Sequence, residues 1–144
     1  MNTKPEITLI NESGFSIPLN ERDLAHIVKM ITESEKRELE SLEVVYVDEE
    51  AIIELNKEYL NKDYVTDIIT FHYHEDGRPL DGTLTCCAQR IAGQAEEFLT
   101  EPEEEFRRII IHGLLHLMGY DDQTAPEKAA MTKLEDKYLN LIKS

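Results

Sequence analysis

His112-Gly113-Leu114-Leu115-His116-Leu117-Met118-Gly119-Tyr120-Asp121-Asp122 places two histidines four residues apart, then a glycine, then a carboxylate. Four residues along an α-helix rise about 6 Å and turn about 40° beyond a full circle, so His112 and His116 leave one face a turn apart and can share one ion. Gly119 predicts the end of that helix. A chain that reverses there needs a left-handed residue, and glycine adopts that conformation without steric cost. The reversal brings Asp122 back as a third donor. Two imidazoles and one carboxylate on a tetrahedral ion leave one place for water, the pattern of catalytic rather than structural zinc. Around the histidines, Ile109, Ile110, Ile111, Leu114, Leu115, Leu117 and Met118 cover nearly the whole circumference. The helix is therefore expected at the centre of the fold, with its histidines buried or at a cleft floor, where they need polar partners.

The other elements follow outward from this helix. Thr100 and Glu103 have the spacing of a capping box at its start, Pro102 is tolerated in its first turn, and Glu103, Glu104 and Glu105 suit the positive end of its dipole. Thr124 and Glu127 repeat that spacing before a last helix whose Ala130, Met131, Leu134, Tyr138, Leu141 and Ile142 are expected to face inward. Toward the N-terminus, Glu6 to Ile10 predicts a strand, and the apolar period of Leu24, Ile27, Val28 and Ile31 predicts a helix from Asn20 to near Ser34. Leu42 to Asp48 is strand-like, with Asp48 capping a helix over Glu49 to Asn61. A polar loop around Lys62 and Asp63 runs into a third strand ending near Tyr73. Thr83 to Ala88 is the fourth, after a connection rich in Gly, Pro and Asp, and Gln89 to Phe98 is helical.

At 144 residues the chain has the size of one domain, and no second domain is expected. No apolar run is long enough to span a bilayer, and no apolar signal segment follows the first residues, which predicts a cytoplasmic protein without a membrane partner. Cys86 and Cys87 are adjacent, a geometry that disfavours a mutual disulfide and predicts small packed residues of a strand. The net charge of −15, from 30 acidic and 15 basic residues, opposes nucleic-acid binding over the general surface. A bound cation and a local basic cluster can reverse the sign inside one cleft.

Other histidines carry less. His26 lies beside an apolar stripe and reads as a satisfied surface residue. His72 and His74 alternate on one strand face, but a Glu-Asp-Gly turn follows and no third ligand is near, so they are not expected to bind metal. The spacing of the central segment matches the H-E-x-x-H-x-x-G-x-x-H of metzincin peptidases with two differences. Gly113 stands in the place of the glutamate that serves those enzymes as general base, which argues against proteolysis. Asp122 stands in the place of the last histidine and remains an ordinary zinc ligand. Zinc is the favoured ion, although the same donors suit iron, nickel or cobalt.

The run from His112 to Asp122 closely resembles the signature of the YbeY family of bacterial metal-dependent endoribonucleases, usually H-G-x-L-H-L-x-G-Y-D-H. The stretch from Leu55-Asn56 through Lys62-Asp63 to Thr66-Asp67-Ile68-Ile69-Thr70-Phe71 resembles that family's second block, in the same order. The resemblance implies a metal-dependent endoribonuclease that cleaves single-stranded RNA in ribosomal RNA maturation and ribosome quality control, with His112, His116 and Asp122 as metal ligands. Three positions depart from the pattern: Asp122 replaces the third histidine, Leu60 replaces an arginine suited to gripping phosphate, and Thr83 replaces an aspartate, leaving Asp81 as the nearest carboxylate. Lys62 is the residue nearby that compensates for Leu60. With the elements above, this predicts one α+β domain over residues 1–144, a four-stranded mixed sheet packed by about five helices, and a metal site at the end of the central helix. The expected catalytic residues are His112, His116 and Lys62, the metal activating water or polarising the scissile phosphate while Lys62 or an arginine steadies its charge. Tyr120 and Asp121 border the ligands and either orient one through a hydrogen bond or serve only as part of the turn. Two alternatives stand beside this: a ribosome-associated assembly factor with a structural metal, bound to ribosomal RNA or proteins, and a metal-dependent hydrolase of a non-RNA substrate.

Overall fold

A computed structural model describes residues 4–143 of the chain; residues 1–3 and 144, at the ends of the expected domain, lie outside the described residues. The element order is β1 (Glu6–Asn11), α1 (Glu21–Glu35), β2 (Leu39–Val47), α2 (Glu49–Leu60), β3 (Ile68–His72), β4 (Leu80–Cys87), α3 (Ala88–Glu97), α4 (Pro102–Leu117) and α5 (Ala125–Lys143). The strands form one sheet in the order β1-β2-β4-β3. β2 runs parallel to both β1 and β4, and β3 lies antiparallel to β4, so the sheet is mixed, as expected.

Strand alternation divides the core. Leu42, Val44 and Tyr46 of β2 join Leu84 and Cys86 of β4 on one face, under α1, α4 and the apolar residues of α5. On the opposite face Ile52 of α2 packs with Ile69 and Cys87. β4 is covered on both faces, and its residues from Leu84 to Cys87 are buried without alternation, as a central strand should be. Both cysteines are buried free thiols on opposite faces, and burial pushes their pKa values up, which makes them inert packing groups.

Three helix starts are built as their sequences predict. Asn20 and Asp23 form a reciprocal capping box, Asp48 accepts the Ala51 N–H at 2.9 Å, and Thr124 and Glu127 cap each other's backbone at 2.9 and 3.2 Å. The fourth differs. The cap of α4 is Glu101, without a side-chain bond, and the Thr100 hydroxyl is buried without a partner. Proline decides this: it lacks an N–H, so Pro102 takes the first helical position, and it drives the residue before it to extended backbone, making Glu101 the boundary.

β2 starts three residues before Leu42, and β4 starts at Leu80 because Asp81 and Gly82, turn-like by composition, pair with Ser41 and Leu42 of β2. In α5 the inward face is Met131, Glu135, Tyr138 and Leu139, whereas Ala130 is exposed and Leu141 is 40% exposed. A glutamate therefore occupies the buried stripe.

Two glycines leave room where α4 meets the sheet. A Cβ on Gly113 would lie 2.6 Å from Ile68 Cδ1 and 3.0 Å from Leu84 Cδ2. A Cβ on Gly82 would lie 2.6 Å from the Phe71 carbonyl oxygen and 2.5 Å from Leu117 Cδ1.

Candidate metal centre

The end of α4 is built to return the chain toward the histidines. Gly119 has φ +105°, its N–H donates to the His116 carbonyl at 3.0 Å, and the Tyr120 N–H donates to the Leu115 carbonyl at 3.1 Å. These paired bonds satisfy the last carbonyls of the helix in a Schellman motif. The Tyr120 hydroxyl then donates to Glu35 Oε1 at 2.6 Å, tying the turn to α1, while Asp121 Oδ1 accepts the Asp122 N–H at 2.8 Å. Tyr120 and Asp121 thus shape the turn; neither bonds an imidazole.

The structure brings His112, His116 and Asp122 together, their donor atoms all within 4.8 Å of one another. The two Nε2 atoms are 3.1 Å apart, and the Asp122 oxygens lie 3.3 Å from His112 Nε2 and 3.4 Å from His116 Nε2. Donors at about 2.0–2.1 Å from a tetrahedral ion are separated by about 3.3 Å, so the spacing of this set fits such an ion. His112 and His116 are each about a quarter exposed, and His112 lines a cleft.

Behind His112 stands a residue with no counterpart among the sequence-predicted donors. Glu135 Oε2 lies 2.6 Å from His112 Nδ1, and Glu135 is 9% exposed in its side chain. Its other oxygen accepts from Arg108 at 2.9 Å, and Arg108 also donates to Asp136 at 2.7 Å. With Nδ1–H donated to the carboxylate, Nε2 keeps its lone pair for an ion, the arrangement by which a carboxylate orients a metal-binding imidazole. Burial pushes the His112 pKa down, but the Glu135 hydrogen bond and charge, with Asp122 and Asp67, outweigh it and leave the pKa raised. The pocket thus favours a cation, proton or metal. The available signal is Glu135 itself, a carboxylate four residues after Met131 and three before Tyr138, on the inward stripe of α5.

The adjoining cleft, of about 360 Å³, is lined by His112 and Asp122 of the donors together with Glu135, Asp67, Glu105, Arg108, Lys128 and Thr132. Glu105 is 4% exposed, and burial holds its carboxyl above the usual range against the pull of Arg108. Lys128 has no side-chain partner among the described residues. Lys62 is not part of this lining: it sits on the loop after α2, its ammonium 5.9 Å from the centre of the Tyr64 ring. Leu60 is 49% exposed at the end of α2. Asp81 and Thr83 also line no part of the cleft; the Tyr73 hydroxyl donates to Thr83 Oγ1 at 3.2 Å. His26 is exposed. His72 and His74 have ring centres 5.9 Å apart but engage backbone, His72 at the His116 carbonyl and His74 at Asp81, and they join no group of metal donors among the described residues.

Two imidazoles and one carboxylate gathered at the end of a helix buried against a mixed sheet are a donor set that could hold a metal ion, on an α+β fold of the kind that hydrolases use. Residues 9–143 match the family model described as Endoribonuclease YbeY, and the chain belongs to that family. An Endoribonuclease YbeY of Chlorobaculum tepidum is 39% identical over 121 residues, covering 84% of this chain and 88% of that protein. One from Bacteroides fragilis is 35% identical over 131 residues, covering 90% and 94%. A solution structure of a Thermotoga maritima protein superimposes with a TM-score of 0.63 at 27% identity, over 94% of this chain and 88% of the other. The resemblance carried by Leu55 to Phe71 and His112 to Asp122 is thereby extended to nearly the whole chain.

Proposed function

We propose that this chain is a metal-dependent endoribonuclease that cleaves single-stranded RNA in ribosomal RNA maturation and quality control, in the cytoplasm, with zinc held by His112, His116 and Asp122. The observation that carries the reading is the donor triangle backed by a buried carboxylate: three donors at the spacing of one small divalent ion, one of them locked in tautomer by Glu135. The endoribonuclease names of relatives that span most of the chain support RNA as the substrate. A divalent ion in this triangle supplies Lewis acidity, for activating water or for polarising a phosphodiester.

The chain's own residues do the rest. His112 and His116 turn their Nε2 atoms toward each other and toward Asp122, Glu135 holds the His112 ring and its Nδ1 proton, and Asp122 offsets the charge of the ion. Gly113, where a peptidase of similar spacing has its glutamate, faces Ile68 and Leu84 of the sheet, so no base can project from that position. Lys128 lines the cleft with an unpaired ammonium and is assigned to the phosphate beside the donors, whereas the Arg108 charge is already matched by Glu135 and Asp136. Lys62, on the loop that leads to Asp67, is assigned to the incoming strand rather than to the reacting phosphate.

The test is element analysis of rigorously purified protein beside a cleavage assay on single-stranded RNA, peptides and simple phosphodiesters. His116→Ala is expected to lose metal and RNA cleavage together. RNA cleavage that persists in a metal-free His116→Ala protein overturns the reading.

A further inference from the structure

A second cleft, of about 790 Å³, opens at the C-terminal end of α4. Lys36, Arg37, Arg78, His72 and His74 line it, against the carboxylates of Glu38 and Asp76. In a chain with 30 acidic and 15 basic residues, three cations and two histidines around one opening reverse the sign locally. Some of these groups are occupied. Arg37 Nη1 donates to the Met118 carbonyl at 3.0 Å, His72 Nε2 meets the His116 carbonyl at 3.0 Å, and His74 Nδ1 meets the Asp81 backbone at 3.1 Å. The side chains of Lys36 and Arg78 have no hydrogen bond or ion pair among the described residues, so their charges are free for a ligand.

The two clefts have no lining residue in common but flank the same turn. Met118 and Gly119 line this one and Asp122 lines the other, so the turn after α4 is the ridge between them. His116 spans that ridge: its ring belongs to the donor triangle and its carbonyl binds His72 on the far side. His116 thus links the donors on one side of the turn to His72 on the other.

We propose that this cleft is a phosphate groove for single-stranded RNA, in which Lys36 and Arg78 contact phosphates next to the one that is cleaved. It rests on the RNA-cleaving reading above, and supplies on the far side of the ridge the cationic contact that Leu60 does not. Lysine and arginine that neutralise phosphate release counterions, and on a single strand each contact steepens the fall of log affinity with log salt by about 0.7.

The probe is a fluorescently labelled 12-nucleotide single-stranded RNA with 2′-O-methyl riboses, titrated by anisotropy at several salt concentrations and checked by gel to be intact after each titration. Lys36→Gln with Arg78→Gln is expected to weaken binding roughly tenfold at low salt and to make the salt slope shallower by about 1.4, two contacts' worth. Arg78→Gln alone, in an exposed turn, is expected to give about half that slope change and serves if the double variant folds poorly. Lys133→Gln, on α5 and lining neither cleft, is the control for general charge and is expected to leave the slope unchanged. Wild-type affinity and slope in the Gln variants, or an equal loss in Lys133→Gln, overturn the groove while RNA cleavage by the wild type keeps the activity standing. A wild type that neither binds nor cleaves RNA overturns both.

Discussion

Glu135 illustrates how a residue outside a motif can decide what the motif does. Its buried carboxylate accepts the hydrogen bond of His112 Nδ1–H, with Nδ1 and Oε2 2.6 Å apart, so it fixes the ring and raises its basicity toward an ion. Replacing it by glutamine keeps the shape and removes the charge. Glu135→Gln is expected to weaken metal affinity at neutral pH by about 10–100-fold, read by competition with a chromogenic chelator. The pH dependence carries a second signature. Glu135 favours the imidazolium and leaves the His112 pKa raised, so an ion must displace a proton as pH falls through that value. In the Glu135→Gln variant the His112 pKa drops, so the pH at which affinity begins to fall from its plateau is expected to be lower, and the plateau itself is lower. A variant with the wild-type plateau and release point would show that Glu135 does not act through His112. His112, His116 and Asp122 are legible because their spacing lies on one helix and its turn. Glu135 is not, because its partner is 23 residues away and only the docking of α5 against α4 brings them together.

The contact of α4 with the sheet depends on two glycines that fail differently when filled. At Gly82 a methyl group would press on the Phe71 carbonyl, which β-pairing holds in place, as well as on Leu117. At Gly113 it would meet only the ends of Ile68 and Leu84, which can shift, and alanine in a helix interior recovers about 1 kcal/mol of propensity over glycine. Gly82→Ala is therefore expected to cost about 1–3 kcal/mol and Gly113→Ala distinctly less, measured by urea unfolding; the reverse order would refute this account of the packing. Most elements are legible from periodicity and caps, because Asn20, Asp48 and Thr124 make local bonds that their neighbours in sequence determine. The exceptions arise where something stronger than local preference acts. Pro102 displaces the cap from Thr100, and pairing with β2 draws Asp81 and Gly82 into a strand that their composition places in a turn.

At the scale of the molecule, the charge of −15 makes the compact state repel itself, and the cleft beside the donor triangle gathers four carboxylates, Asp122, Glu135, Asp67 and Glu105, against the two cations Arg108 and Lys128. An ion bound there joins α4 to the turn beyond it and offsets those charges, and an unfolded chain offers no such assembled site. Metal binding must then stabilise the fold by mass action, by about 2.7 kcal/mol at a free ion concentration a hundred times the dissociation constant. For a chain of this length that corresponds to a rise in Tm of roughly 5–10 °C. General screening also relieves self-repulsion, so the measurement has to separate the two. Micromolar zinc adds no appreciable ionic strength, whereas about 0.1 M sodium chloride brings the screening length to about 10 Å without occupying the donors. Zinc is expected to raise Tm at either salt concentration, a chelator to reverse the rise, and Asp122→Ala to abolish most of it while keeping the response to sodium chloride. A zinc-dependent rise of the same size in Asp122→Ala would mean that the stabilising ion sits elsewhere and that the triangle is not the metal centre.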